Sequence, residues 1–374
     1  MAERLRILHV LRAPVGGLFR HVVDLAAAQA ARGHAVGLVL DSTTGGGPAE
    51  AMLQGLAPAA ALGIHRLPMS RHLGLRDFVA ARAVALHARE SKADVVHGHG
   101  AKGGAYARLA AGPALRVYTP HGGSLHYGAA SPLGWLYLNL ERVLSARTDL
   151  FLFESEFALA AFRAKIGDPR ALARVVHNGV RPDELAPVTP DIDAEDVVFV
   201  GELRRLKGVD VLIEALANLL GEGRIQGAIL FGDGPEAAAY RTWVERRGLA
   251  AKIHFGDMKP AREAFRRGRV LAIPSRAESL PYIVLEAAAA SVPMVATRAG
   301  GIAEIFGPDA AALVQPEDPA ALARAIFEAL NGGAAPRTQR LRERIGRLFT
   351  VEAMTEGVLA GYREALAARS PGHG

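Results

Sequence analysis

Short runs of apolar, often β-branched residues alternate with longer Ala- and Leu-rich stretches along the whole chain. In the first half the runs lie at 6–11, 35–41, 94–99, 116–120, 149–154 and 174–177. Between the first two, Leu18, Val22 and Leu25 fall on one helical face. Continuous apolar strands separated by crossover helices predict a parallel sheet buried on both faces. The alternation then stops. Around Pro182, Pro187 and Pro190 acidic residues accumulate without any period, which predicts a linker. A second series follows at 197–200, 228–231, 253–255, 270–274, 294–297 and 312–314, and Leu212, Ala215, Leu216 and Leu219 form an apolar face after its first strand. The pattern predicts two doubly wound α/β domains, residues 1–180 and 196–349, joined by 181–195. In the closing segment, 350–374, Met354, Val358, Tyr362 and Leu366 recur every four residues, as in an amphipathic helix.

Composition narrows this mainly by exclusion. The 374 residues are 50% hydrophobic and 22% charged, which suits a folded chain and not a disordered one. Cysteine is absent, so disulfides, Cys-ligated metals and thiol nucleophiles are excluded. Residues 1–10 lack the h-region of a secretory signal, and no apolar run reaches the ~18–20 residues of a spanning helix, so a cytoplasmic location is expected. The net charge of +6 is uneven: residues 1–190 carry +7 and residues 191–374 carry −1, with 11 of the 13 histidines in the first part. The cations are scattered singly and only 6% of residues are aromatic, which argues against nucleic acid. A basic half suits an anionic lipid surface, so peripheral attachment to the inner face of a membrane is a further expectation.

Ligands of open α/β sheets bind beyond the carboxyl ends of the strands, so the strand ends are where chemistry is sought. The first strand leads into Gly16-Gly17, which does not complete a dinucleotide fingerprint but lets backbone approach a ligand. His97 and His99 close one strand and His121 the next, each beside glycine. Hydrogen bonding to a polar acceptor is the preferred role for them, since no carboxylate at ligand spacing supports a metal. In the second half, Arg204, Arg205 and Lys207 precede a helix, an arrangement suited to a diphosphate. Gly232-Asp233-Gly234 repeats the strand–glycine–helix turn. Glu278 and Glu286 then bracket a loop and a helix start that includes Leu280, Pro281 and Tyr282.

Taken in order, Gly16-Gly17, Thr119-Pro120-His121-Gly122, His177-Asn178-Gly179-Val180, Lys207-Gly208, Gly232-Asp233-Gly234 and the Glu-x7-Glu pair Glu278/Glu286 resemble the family 4 glycosyltransferases. The resemblance covers most of the chain. It implies the GT-B architecture, two Rossmann-like domains facing a cleft, and retaining transfer from a nucleoside-diphosphate sugar to a saccharide or lipid-linked saccharide, in cell-envelope polysaccharide or glycolipid synthesis. It implies no cofactor and no metal. It places Gly16 and Gly17 near the donor phosphates, His121 and Glu278 at the transferred sugar, Lys207 at the diphosphate and Glu286 at the ribose. Gly234, Leu280, Pro281 and Tyr282 complete the donor side; His97 and His99 lie on the acceptor side. The family's arginine after the strand glycine is Glu202 here, which leaves Arg204 or Arg205 to supply that charge. Two other readings use the same residues: a sugar-nucleotide epimerase, and a non-catalytic nucleotide- or saccharide-binding subunit.

Overall fold

The computed structural model describes residues 4–71, 73–123 and 131–369. They divide into unit 1, Met1–Gly179 with Val351–Gly374, and unit 2, Val180–Thr350.

Unit 1 is built on a seven-stranded parallel sheet. Its strands are β1 (Arg6–Leu11), β2 (Ala35–Asp41), β3 (Ile64–Leu67), β4 (Val95–His99), β5 (Leu115–Thr119), β6 (Leu150–Phe153) and β7 (Leu172–Val175), in the order 3-2-1-4-5-6-7. Helices α1 (Gly16–Ala31) and α2 (Gly46–Leu56), with α14 (Val351–Arg369), cover one face. The other face is covered by α3 (Arg76–Glu90), α4 (Gly100–Leu109), α5 (Pro132–Ser145) and α6 (Glu156–Lys165). Burial on both faces explains why all seven residues of β2 are buried and why the inner strands read as unbroken apolar runs. The strand β3 was not predicted, because His65 and Arg66 break its apolar pattern and all four of its residues are only half-buried at the sheet edge.

Unit 2 holds a five-stranded parallel sheet: β8 (Glu195–Val200), β9 (Ala228–Phe231), β10 (Ile253–Gly256), β11 (Gly268–Ile273) and β12 (Met294–Ala296), ordered 10-9-8-11-12. Alternate residues feed opposite cores, as a strand period of two demands. Val198, Leu271 and Ile273 pack with α9 (Ala261–Phe265), α10 (Tyr282–Ala289), α11 (Ile302–Phe306) and α13 (Ala335–Leu348). Val197, Phe199, Val270 and Ala272 pack with α7 (Val209–Gly221), α8 (Ala237–Arg246) and α12 (Pro319–Glu328). The run at 312–314 forms no strand, only a single bridge between Thr297 and Val314.

Residues 181–195, expected as a linker, are packed along unit 2. Val180 is fully buried beside Phe349, Glu184 accepts the Arg181 N–H at 2.7 Å in a short 3-10 turn, and Val188 N–H donates to the Ala290 carbonyl. The prolines rule out a ladder without preventing packing. The arginine-rich helix α13 is likewise tied in: Arg340 pairs with Asp309, and Arg342 and Arg344 donate to the carbonyls of Leu185, Ile305 and Glu304.

One buried charge pair braces unit 1. Arg108 on α4 is fully buried, donates to Glu141 of α5 at 2.8 Å and lies 3.8 Å over the Tyr118 ring; the Tyr118 hydroxyl donates to the same carboxylate at 3.0 Å. Removing one member leaves a desolvated charge. Glu141→Ala should therefore cost about 3–5 kcal/mol. Urea unfolding in a Trp243→Phe background, which leaves Trp135 as the only tryptophan and so reports unit 1, would show it; a change under 1 kcal/mol would contradict this account.

Candidate functional site

In each unit the strand order reverses direction at one point, between β1 and β4 and between β8 and β11. At such a switch point the two outgoing connections diverge to opposite faces and leave a crevice at the carboxyl ends of the strands.

In unit 2 the connection after β8 passes through Arg204 and a 3-10 turn, Arg205–Lys207, into α7. The connection after β11 carries Ser275 and Glu278 into α10. Lys207 Nζ lies 2.6 Å from Glu278 Oε1, which also accepts the Ser275 hydroxyl at 2.7 Å. Two residues 71 apart in sequence thus form one ion pair at the switch point. Glu278 is largely buried, while Lys207 keeps part of its surface exposed. Backbone geometry allows this closeness. Gly208 has φ +69°, and a Cβ there would lie 1.9 Å from the Pro274 carbonyl oxygen. Gly300, with φ +56°, is pressed on the Glu278 carbonyl in the same way, where a Cβ would come within 1.6 Å. Both positions require glycine.

A further clamp was not legible in the sequence. Arg276 donates both terminal nitrogens to Asp210, at 2.6 and 2.7 Å, donates to the Arg205 carbonyl at 2.6 Å and reaches Glu317 at 2.9 Å. It ties the turn bearing Lys207 to the loop bearing Glu278. Burial pushes the Asp210 carboxyl up, but the Arg276 guanidinium outweighs it and holds the group below its ordinary value. Arg276 sits within the segment singled out for its two glutamates, yet nothing in the spacing joined it to Asp210.

The other expected donor residues are placed as follows. Gly234 packs against the Leu203 backbone, so the turn after β9 touches the turn after β8. Arg204 lies 3.3 Å from Glu202 on the exposed side, and the Arg205 N–H donates to Glu236 at 3.0 Å. Pro281 caps α10, and Glu286 is half-buried one turn into that helix. Leu280 and Tyr282 bury their side chains in the apolar core of unit 2.

In unit 1, β1, β4 and β5 gather histidines that the sequence left scattered. His9 Nδ1 lies 3.0 Å from His99 Nε2, His9 Nε2 lies 2.8 Å from Gln29 Oε1, and His99 Nδ1 lies 3.2 Å from His121 Nε2. His21 Nδ1 pairs with Asn178 Oδ1 at 3.0 Å, and its ring stands edge-on to His121 at 4.7 Å. His121 has φ +50°, a left-handed conformation that strains a non-glycine residue and is held here by the packed strands around it. His9 lies inside an apolar run that reads as core, and His21 stands next to Arg20 in a stretch that reads as an amphipathic helix, so the sequence singles out neither. His97 is a correction in the other direction. It is fully buried, with Nδ1 2.7 Å from the Tyr362 hydroxyl and Nε2 2.8 Å from Thr119 Oγ1, so neither nitrogen is left for an acceptor. It fastens α14 to the sheet instead. His99 and His121 do border a cavity of about 350 Å³, while Gly16 and Gly17 form the start of α1 nearby. Two triads, His9/His97/His99 and His21/His99/His121, bring ring nitrogens within 4.8 Å of one another, and most of those nitrogens are engaged in the hydrogen bonds above.

Burial depresses these imidazoles. It lowers His9 to about 4 against the pull of Gln29, lowers His121 to about 3, and holds His21, His97 and His99 well below their ordinary value, helped by repulsion from neighbouring rings. An unfolded histidine takes a proton near pH 6.5, whereas these do not until far lower, so their contribution to stability is complete above pH 6.5 and is lost as pH falls below it. The melting temperature should therefore drop between pH 6.5 and 4. Calorimetry showing a flat profile over that interval would mean that the cluster takes up protons without unfolding.

Residues 15–184 match the family model described as Glycosyltransferase Family 4, and residues 194–332 match that described as Glycosyl transferases group 1. The chain belongs to the family 4 glycosyltransferases. It is 32% identical over 191 residues to a D-inositol 3-phosphate glycosyltransferase of Acidothermus cellulolyticus, an alignment covering 48% of this chain and 43% of the relative. It is 32% identical over 256 residues to the putative glycosyltransferase EpsD of Bacillus subtilis, covering 62% and 66%. The chain thus spans less than two thirds of the length of these relatives. Among solved structures, a sucrose-phosphate synthase from Thermosynechococcus elongatus superposes with a TM-score of 0.80 at 21% identity, over 98% of this chain and 100% of that one. Anabaena Alr3699/HepE in complex with UDP-glucose gives 0.77 at 20% identity, over 98% and 100%. These likenesses show the GT-B fold.

Proposed function

We propose that the chain transfers a sugar from a nucleoside diphosphate to a saccharide or lipid-linked saccharide, with retention at the anomeric carbon. The observation that carries this is the Lys207–Glu278 pair at the unit 2 switch point, set between two backbone approaches that only glycine permits. Transfer breaks the bond between the anomeric carbon and the donor's β-phosphate oxygen and forms one to an acceptor hydroxyl oxygen. In a front-face reaction the departing phosphate takes the acceptor's proton. Negative charge therefore grows on the phosphate, where an ammonium contributes most. Lys207 has that role, with Arg204 or Arg205 beside it and no metal required. Glu278 positions Lys207 and the sugar, Glu286 accepts the ribose hydroxyls, and His121, neutral at physiological pH, hydrogen-bonds the transferred sugar. Similarity to the putative teichuronic acid biosynthesis glycosyltransferase TuaC of Bacillus subtilis, 30% identical over 135 residues, supports a place in cell-envelope polysaccharide synthesis. UDP-glucose in the Anabaena protein supports a uridine donor. Incubation with donor alone separates this reading from epimerisation: a transferase at most hydrolyses the donor, whereas an epimerase changes its sugar.

Two substitutions test the donor side. Lys207→Ala should lower kcat by about 10²–10³, the scale seen when one charge-stabilising donor is deleted, with a smaller change in donor affinity. Glu286→Ala should weaken UDP-sugar binding about 10-fold or more, since hydrogen bonds to a charged group are worth ~1.5–3 kcal/mol, and should leave the melting temperature unchanged. Calorimetric titration showing full affinity in Glu286→Ala would remove that residue from the site.

A cytoplasmic enzyme acting on lipid-linked acceptors would work at an anionic membrane surface, and α3 supports this. No helix among the described residues is long and apolar enough to cross a membrane. Yet Leu75, Phe78 and Val79, at the start of α3, are 84%, 76% and 70% exposed, and the helix adds exposed Leu86 and the cations Arg76, Arg82 and Arg89. An apolar stripe flanked by arginines fits the headgroup boundary of anionic lipid. The full chain should co-sediment with anionic but not neutral vesicles at low salt, and the Phe78→Ser/Val79→Ser variant should not. Equal sedimentation of both proteins would exclude this face.

A further inference from the structure

The hydrogen bonds of the imidazole cluster in unit 1 run in one direction. The Gln29 Oε1 carbonyl oxygen can only accept, so His9 Nε2, 2.8 Å away, donates to it. A neutral ring carries one N–H, and burial keeps His9 neutral, so its Nδ1 accepts from His99 Nε2 at 3.0 Å. His99 is left with a bare lone pair on Nδ1. The same reasoning applies to His21. Its Nδ1–H donates to Asn178 Oδ1 at 3.0 Å, so its Nε2 is bare. That nitrogen is buried without a hydrogen-bond partner, in a side chain only 3% exposed. Two amide carbonyls, one on α1 and one after β7, thus fix two unprotonated nitrogens within one cluster.

His121 completes the group. His21, His99 and His121 each offer a ring nitrogen, and the three lie within 4.8 Å of one another. The His21 ring stands 4.7 Å from that of His121 and 5.6 Å from that of His99. His121 Nε2 is 3.2 Å from the bare His99 Nδ1. A proton on His121 Nε2 would satisfy that pair and still leave His21 Nε2 buried and unpaired, a costly state for a polar atom. A metal ion satisfies all three. In a tetrahedral site with metal–nitrogen bonds of about 2.0–2.1 Å, ligand atoms stand about 3.3–3.4 Å apart, close to the observed separation of His99 and His121.

We infer that His21, His99 and His121 bind one divalent transition-metal ion of the zinc type, through Nε2, Nδ1 and Nε2 respectively. Imidazole donors select zinc, cobalt, nickel or copper, whereas magnesium and calcium call for oxygen. Gln29, acting through His9, and Asn178 hold the ligand rings in the required tautomers, as outer groups do around metal-bound histidines. Burial keeps the three rings neutral, so their lone pairs are available. The ion ties α1 to the end of β4 and the connection after β5, and since His99 and His121 border the cavity, a fourth position is open to water. The inference does not rest on the proposed transfer. Coordination through Nε2 leaves the Nδ1–H of His121 for a sugar, so the two readings are compatible.

The test is titration of the full, untagged chain, first stripped with a chelator, with Co²⁺. One equivalent should bind with the visible absorption of four-coordinate cobalt. Zn²⁺ should displace it and raise the melting temperature, and Mg²⁺ should do neither. His21→Gln and His121→Gln should each weaken cobalt binding more than 10-fold. His87→Gln, which alters the separate stacked pair His65/His87, should leave it unchanged. Melting curves without metal show which variants are folded. Ring nitrogen NMR of the wild-type chain gives a readout that needs no variant: Zn²⁺ should shift one nitrogen in each of three histidines. Absence of the cobalt spectrum, an equal response to Mg²⁺, full affinity in His21→Gln, loss of binding in His87→Gln or ring nitrogens unmoved by Zn²⁺ would each overturn the inference.

Discussion

A parallel sheet must be covered on both faces, and nearly everything in this chain follows from that requirement. Parallel neighbours cannot be joined by a hairpin, so each strand is followed by a crossover that lays a helix or loop over one face. All strands of a unit then end on the same edge. Side chains distant in sequence meet there because their strands are neighbours: Lys207 and Glu278 after β8 and β11, Arg12 and Lys102 after β1 and β4. The chemistry of each unit is concentrated where the strand order reverses, the one place on that edge where diverging connections leave room for a ligand.

The two switch points are built differently. In unit 2 the loops are drawn together by backbone contact at Gly208 and Gly300 and by the Arg276–Asp210 clamp, and Lys207 is already held by a carboxylate. In unit 1 the equivalent edge has a cluster of buried, neutral imidazoles and a cavity lined by Arg12, Arg71 and Lys102. The first arrangement suits exact placement of one cation against a charge that develops during reaction; the second suits capture of a ligand that arrives already charged.

Much of this is legible in the sequence. Strands β1, β2 and β9 fall where the apolar runs place them, because strands buried on both faces leave an unbroken hydrophobic record. Leu212, Ala215, Leu216 and Leu219 are all buried, as their spacing requires. What escaped has identifiable causes. The edge strand β3 is half-buried and mixes His65 and Arg66 into its four residues, so it carries no clear period. The run at 312–314 is apolar enough for a strand but only touches Thr297 at one bridge. His9 and His97 look like polar interruptions in core strands and are in fact paired within the core, a distinction that depends on partners 20 and 265 residues away. The motifs Lys207-Gly208 and Glu278/Glu286 were visible as motifs, but the direct bond from Lys207 to Glu278 was not, since no spacing rule relates residues on two different crossovers.

The chain leaves unit 1 after Gly179, builds all of unit 2, and returns to unit 1 with α14. Tyr362 is fully buried in the core of unit 1 and its hydroxyl bonds His97. Domains generally fold as units while the chain is being synthesised, the earlier ones first. Here that order is inverted. Until residue 362 has left the ribosome, the part of that face which α14 covers beside α1 and α2 stays bare and His97 lacks its phenol, although unit 2 is by then complete. At about 5–20 residues per second, the interval from Gly179 to Tyr362 lasts on the order of ten to forty seconds, during which the nascent first sheet must be shielded from its neighbours on the polysome.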